Sequence, residues 1–212
     1  MMNIYAILTG DLVRSSAVDA SRYPLLMQAL QQCLAKFCPA GVATPVVYRG
    51  DGFQLATLPE LAFNAALQTR LTLISLQSDA RIAIAVAPAE QLRADLNQST
   101  GQAFTLSGQL LDDLQQTRWE WLDLQQPLST AEQLLLQLVS VQLQQLTARQ
   151  AAVLLAYLQQ QRPQHQQLAV FFNTSRVNIT HLLNQAQYSL IVQVVDYFSN
   201  RYQPSDGVPR DE

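Results

Sequence analysis

The sequence predicts an α+β fold: a ferredoxin-like sandwich followed by an all-α domain that carries a helix-turn-helix. Three observations predict it. Short strand-like runs alternate with helix-period segments up to about residue 125. From Ser129 onward every periodic segment is helical. Residues 133–195 hold Arg149, Arg162 and Arg176 but no Asp or Glu, although the whole chain has a net charge of −3.

Taken in order, Ile4 to Thr9 reads as a buried strand, ending before Gly10-Asp11. Ser21 to Phe37 is helical, with Leu25, Leu26, Ala29, Leu30, Cys33 and Leu34 on one face. Pro45 to Arg49 and Phe53 to Thr57 are short strands around Gly50-Asp51-Gly52, where Asp-Gly signals a hairpin. A second helix spans Leu58 to Leu76, a strand follows at Arg81 to Val86, and a third helix covers Gly101 to Gln115. Trp119 to Leu122 closes the sheet as an edge strand. The order β-α-β-β-α-β-α is that of a ferredoxin-like sandwich.

The chain changes character at Gln125-Gln126-Pro127, which predicts a domain over 1–125 and a helical domain over 126–203. Ser129-Thr130-Ala131-Glu132 is a capping box opening a helix to about Gln145, and Thr147 caps the next, to Gln161. Short helices follow at Gln164–Phe172 and Ser175–Gln185, then a longer one from Tyr188 to Tyr202. Residues 204–212, with Pro, Gly and charges, are expected to form a flexible tail.

Composition narrows the function classes. The 212 residues include 30 glutamines and a single lysine, Lys36. The glutamines sit within hydrophobically periodic segments, so they read as neutral helix surface. No run approaches the roughly 18 apolar residues of a membrane span, and Met1 to Tyr5 lacks the basic start of a signal peptide. A cytoplasmic protein with no membrane partner is expected. Cys33, Cys38, His165 and His181 have no zinc-like spacing and read as structural.

A helix-turn-helix needs a small residue where its helices cross and a turn residue tolerant of positive φ. Ala169 and Asn173 stand at those offsets, with Leu168 and Phe172 beside them, and Ile179 and Leu182 predicted to face inward. The outward positions of the second helix are then Ser175, Arg176, Val177, Thr180, His181 and Asn184, the candidate DNA contacts. Ser175 would cap the helix and leave backbone amides facing a phosphate. Three arginines make a thin electrostatic footprint, so a homodimer on adjacent half-sites is expected.

In the first domain, Asp11 and Asp51 follow Gly10 and Gly50 at places a ferredoxin-like sheet brings side by side. Two such carboxylates suit Mg²⁺ with phosphate oxygens. Gly10, Gly50 and Gly52 would let a ligand approach the backbone, and Arg14 and Ser15 would contact its phosphate. Turn-forming and capping roles for both aspartates are the structural alternative.

Thr9-Gly10-Asp11-Leu12-Val13-x-Ser15, Gly50-Asp51-Gly52-Phe53-Gln54, Arg81-Ile82-Ala83-Ile84 and Gly101-x-Ala103-Phe104-x-x-Ser107 together resemble the SatD-like family of bacterial proteins. The resemblance implies a nucleotide-cyclase-like domain followed by a helix-turn-helix, with Asp11 and Asp51 where class III cyclases keep their metal-binding aspartates. Those cyclases also carry an asparagine and, four residues on, an arginine, and Leu106 to Leu111 supplies neither. Without that cation the charge developing on a transferring phosphoryl group is poorly stabilised. The expectation is therefore a DNA-binding transcriptional regulator with a non-catalytic sensory domain for a nucleotide or other phosphate ligand, which shifts domain orientation or dimer geometry. The alternative is a metal-dependent nucleotidyl-cyclase-type enzyme with a helical dimerisation domain, Arg14 or Arg49 replacing the missing cation.

Overall fold

A computed structural model describes residues 4–39, 43–48, 50–89, 92–114 and 118–203, so Arg49 and the tail 204–212 lie outside the described residues. The strands are β1 (Ile4–Leu12), β2 (Val46–Val47), β3 (Gly52–Thr57), β4 (Ala80–Pro88) and β5 (Trp119–Asp123). The helices are α1 (Tyr23–Ala35), α2 (Pro59–Ser75), α3 (Gln102–Asp113), α4 (Thr130–Gln144), α5 (Ala148–Gln159), α6 (His165–Phe171), α7 (Arg176–Gln185) and α8 (Tyr188–Asn200). The chain is thus α+β, with one five-stranded mixed sheet in the order β2-β3-β1-β4-β5. β1 runs antiparallel to both β3 and β4, while β5 is parallel to β4 at the edge.

The alternation of β1 decides what covers each face. Ala6, Leu8 and Leu12 enter the main core with α1 and α2. Ile7 points the other way, into a small alanine-rich core with Ala56, Ala87 and Ala103 of α3. Helices therefore lie on both faces of the sheet.

α2 explains how the two halves join. Thirteen of its 17 residues are buried, on every side, because it lies between the sheet and the helices α5 and α8. A helix covered on every side is an interior one, and the polar residues it buries, Arg70 among them, need partners within the protein. Phe63 of α2 stacks on Trp119 at 5.1 Å and on Phe198 of α8 at 4.6 Å, and Phe198 also stacks on Trp121 at 5.2 Å. One hydrophobic core crosses the boundary predicted near residues 125–127.

Buried charges reinforce the seam. Arg70, fully enclosed, donates from Nε and Nη2 to the two oxygens of Asp79 at 2.9 Å each and from Nη1 to Ser140 of α4 at 3.0 Å. Arg201, past α8, pairs with Glu132 and donates to the Gln126 and Pro127 carbonyls, while Tyr202 donates to Asp123. Burial pushes the Glu132 carboxyl up, but hydrogen bonds from Ser129 and Tyr197 and the Arg201 charge hold it below its ordinary value. The predicted capping boxes at Ser129 and Thr147 are both formed. A ligand-driven change in domain orientation, expected from the sequence, conflicts with this shared core; an interface built as a continuous interior resists rigid-body rotation.

Candidate functional site

The helix pair is built as its small and turn residues require. Leu168 and Ala169 are buried where α6 meets α7. Asn173 takes φ 49°, the left-handed conformation that ends α6, and the Thr174 amide closes the turn on the Ala169 carbonyl at 2.9 Å. Ser175 caps α7 by accepting from the Asn178 amide at 3.1 Å. That leaves the Arg176 and Val177 amides at the open end of the helix.

Most of the predicted outward positions do face solvent. Ser175, Arg176, Val177, His181 and Asn184 are exposed, and Arg176, Val177, Thr180, His181 and Asn184 line one shallow depression of about 420 Å³. Val177, 78% exposed, offers an apolar contact of the kind a thymine methyl accepts. Two expectations need correction. Leu183, rather than Leu182, is the buried partner of Ile179, because a four-residue step repeats the inward direction more closely than three; Leu182 is half-buried. Thr180 is half-buried, with its hydroxyl held by His165 Nδ1 at 2.8 Å and donating to the Arg176 carbonyl at 3.0 Å. Its role is to fix α7 against α6.

The arginines of the acid-free stretch are not equivalent. Arg162 is paired with Asp196. Arg149 lies over the Phe172 ring, 4.7 Å from its centroid, and donates to the Phe172 carbonyl at 3.1 Å, so it braces the turn while remaining exposed. Arg176 has no ion-pair partner among the described residues. Arg149 was missed in the sequence because nothing in its own segment shows that it reaches Phe172.

The aspartates come together too, differently from expectation. β1 continues through Asp11 rather than stopping at Thr9, so Asp11 sits opposite Gly52 on one side and Arg81 on the other. Facing residues on paired strands share a sheet face, and Arg81 grips both Asp11 oxygens while donating from Nη1 to the Leu114 carbonyl beyond α3 at 3.0 Å. Asp51 Oδ2 accepts from Ser15 Oγ at 2.7 Å, and the Leu12 amide donates to the Asp51 carbonyl at 3.0 Å.

The predicted ligand residues divide accordingly. Gly10 is required by packing: a Cβ there would lie 2.4 Å from Phe53 Cζ and 2.7 Å from the Arg81 carbonyl, so the room a ligand would need is already filled. Gly50 has φ 116° and open space around it, and its carbonyl accepts from Tyr23. A Cβ added at Gly52 would lie 3.3 Å from Cδ2 of the Tyr48 ring. Ser15 is committed to Asp51, and Arg14, in the left-handed conformation at φ 54°, is exposed.

As arranged, the pair does not fit Mg²⁺. A guanidinium takes the place of the cation at Asp11 and a hydroxyl occupies one oxygen of Asp51, whereas Mg²⁺ demands free carboxylate oxygens in near-octahedral order. Among the described residues no group of three or more His, Cys, Asp or Glu side chains is placed to hold a metal. Arg81 was not singled out in the sequence because only the strand register shows that it opposes Asp11.

The molecule is therefore an α+β protein whose sheet end is closed by its own ion pairs and whose helix pair shows an acid-free face to solvent. No protein-family model matches the chain, and no curated protein matches it. Among the described residues no helix is long and apolar enough to cross a membrane.

Proposed function

We propose that this protein binds duplex DNA through α7 and acts as a transcriptional regulator. The observation that carries the proposal is the α7 face: an exposed, unpaired arginine, polar side chains and one apolar residue, on the second helix of a pair joined by a left-handed asparagine. Arg176 is the guanine or phosphate contact, His181 and Asn184 read base edges, and the open amides of α7 meet a phosphate. The sheet order β2-β3-β1-β4 and its antiparallel pairing suit a ferredoxin-like or cyclase-like module with a fifth strand added. That is the kind of module the resemblance to the SatD-like family implies. The closed Asp11–Arg81 pair disfavours metal-dependent cyclase chemistry in this module, which leaves the ligand-sensing role.

A single arginine per module gives weak affinity, so the active form is a homodimer. Leu134, Leu138 and Val141 form an exposed stripe on α4, 53–67% accessible. The one charged residue of α4, Glu132, is buried. A two-fold interface sets a surface against itself, and an uncharged stripe bordered by glutamines meets its copy without repulsion. A mobility-shift titration of the duplex upstream of the protein's own gene, against random duplexes at several salt concentrations, tests the reading. Specific retention weakened at least tenfold by Arg176→Ala supports it; equal retention of wild type and variant rejects it. Leu138→Glu is expected to yield monomers in sedimentation and to lose most DNA retention.

A further inference from the structure

We infer that the cleft beside the β1–α1 connection binds an organic phosphate monoester. This deepens the ligand-sensing half of the proposed function and places that ligand away from the aspartate pair. The cleft, about 390 Å³, lies among the connection after β1, the start of α1, the end of α2 and Arg118 just before β5. That volume is in the range of small-ligand sites.

Charge and wetting define the ligand. Arg14, Arg22 and Arg118 line the cleft. Its one acid, Asp79, is already neutralised by the bidentate Arg70, and Arg118 approaches the same carboxylate only at 3.4 Å, so the site keeps an excess of positive charge. Arg14 has no ion-pair partner among the described residues, and Arg22 donates through Nη2 to the Leu76 carbonyl at 2.7 Å, leaving further donors unused. Asp19, three residues before Arg22, is engaged by the Ser21 hydroxyl and amide. Guanidinium forks match phosphate oxygens in geometry as well as charge.

A second observation is independent of charge. Ser78 Oγ, in the wall of this cleft, is shielded from solvent and has no hydrogen-bond partner. Buried hydroxyls in native structures are nearly always satisfied; Ser78 keeps an unused donor enclosed within the wall of the cleft. The lining also has an apolar part, Val18, Leu25 and Leu26. It suits the carbon body of an ester rather than an inorganic anion. Ser78, Asp79 and Arg118 also line the adjoining cleft against the α4–α5 join, so occupancy reaches the helical half directly.

Calorimetric titration of the full chain at low salt with phenyl phosphate and with inorganic phosphate tests this. Phenyl phosphate is expected to bind at least tenfold more tightly than inorganic phosphate, and Arg14→Glu and Arg14→Ala/Arg22→Ala, each first shown to melt as the wild type does, are expected to weaken it at least tenfold. No heat from phenyl phosphate, equal affinity for both anions, or unchanged affinity in both variants would overturn the inference. A protein that binds phenyl phosphate but no duplex loses the DNA proposal and keeps this one; the reverse result does the opposite.

Discussion

The sheet end and the α7 face contain comparable numbers of polar side chains but differ in what those side chains touch. At the sheet end Arg81 holds Asp11, Ser15 holds Asp51 and Arg70 holds Asp79, so each carboxylate has its partner within the chain. On α7, Arg176, His181 and Asn184 point into solvent with no acid nearby in sequence. A polar group with an internal partner contributes to the fold, and displacing that partner costs free energy. Where the partner must come from outside, a group remains available. The contrast separates two places that both offered candidate functional residues in the sequence.

The largest effect is expected where an internal partner is removed in the interior. Asp79→Ala leaves the enclosed Arg70 charge uncompensated and is expected to cost about 3–5 kcal/mol, measured by urea denaturation. A loss under 1 kcal/mol would mean that the seam is not held by charge. Next comes Gly10→Ala, whose methyl meets the Phe53 ring and the Arg81 backbone; overpacking of this kind costs roughly 1–3 kcal/mol.

Arg176→Ala should do the reverse of both. Its melting temperature should stay within a degree of wild type, while DNA affinity falls by about 1–3 kcal/mol, the value of one good base or phosphate contact. The smallest effect is acid sensitivity at Glu132. Its carboxyl is held below the ordinary value in the folded protein, so its stabilisation is present above the unfolded value of 4.5 and fades as pH falls through the lower folded one. Denaturation midpoints measured from pH 6 to pH 3 should fall less steeply in Glu132→Gln than in wild type.

The elements were legible because their signals are local. A short apolar run before Gly10-Asp11 marked β1, the Asp-Gly step marked the hairpin, and Ser129 and Thr147 marked helix starts to the residue. The helix pair was legible for the same reason, since Ala169 and Asn173 act within one turn of chain. What stayed hidden depends on partners distant in sequence. Arg81 closes Asp11 across 70 positions, and Arg70 reaches Ser140 across another 70. The composition change at residues 125–127 marked a change of secondary structure but not of core, because α2, in the first half, is the helix that the second half packs on.

Titrating isotopically labelled protein with a 20-base-pair duplex while recording amide spectra tests most directly the proposal that α7 meets DNA. Shifted signals are expected at Arg176, Val177, His181 and Asn184, with β1 and β3 undisturbed. Spectra that do not change, or changes confined to the strands around Asp11 and Asp51, would contradict it.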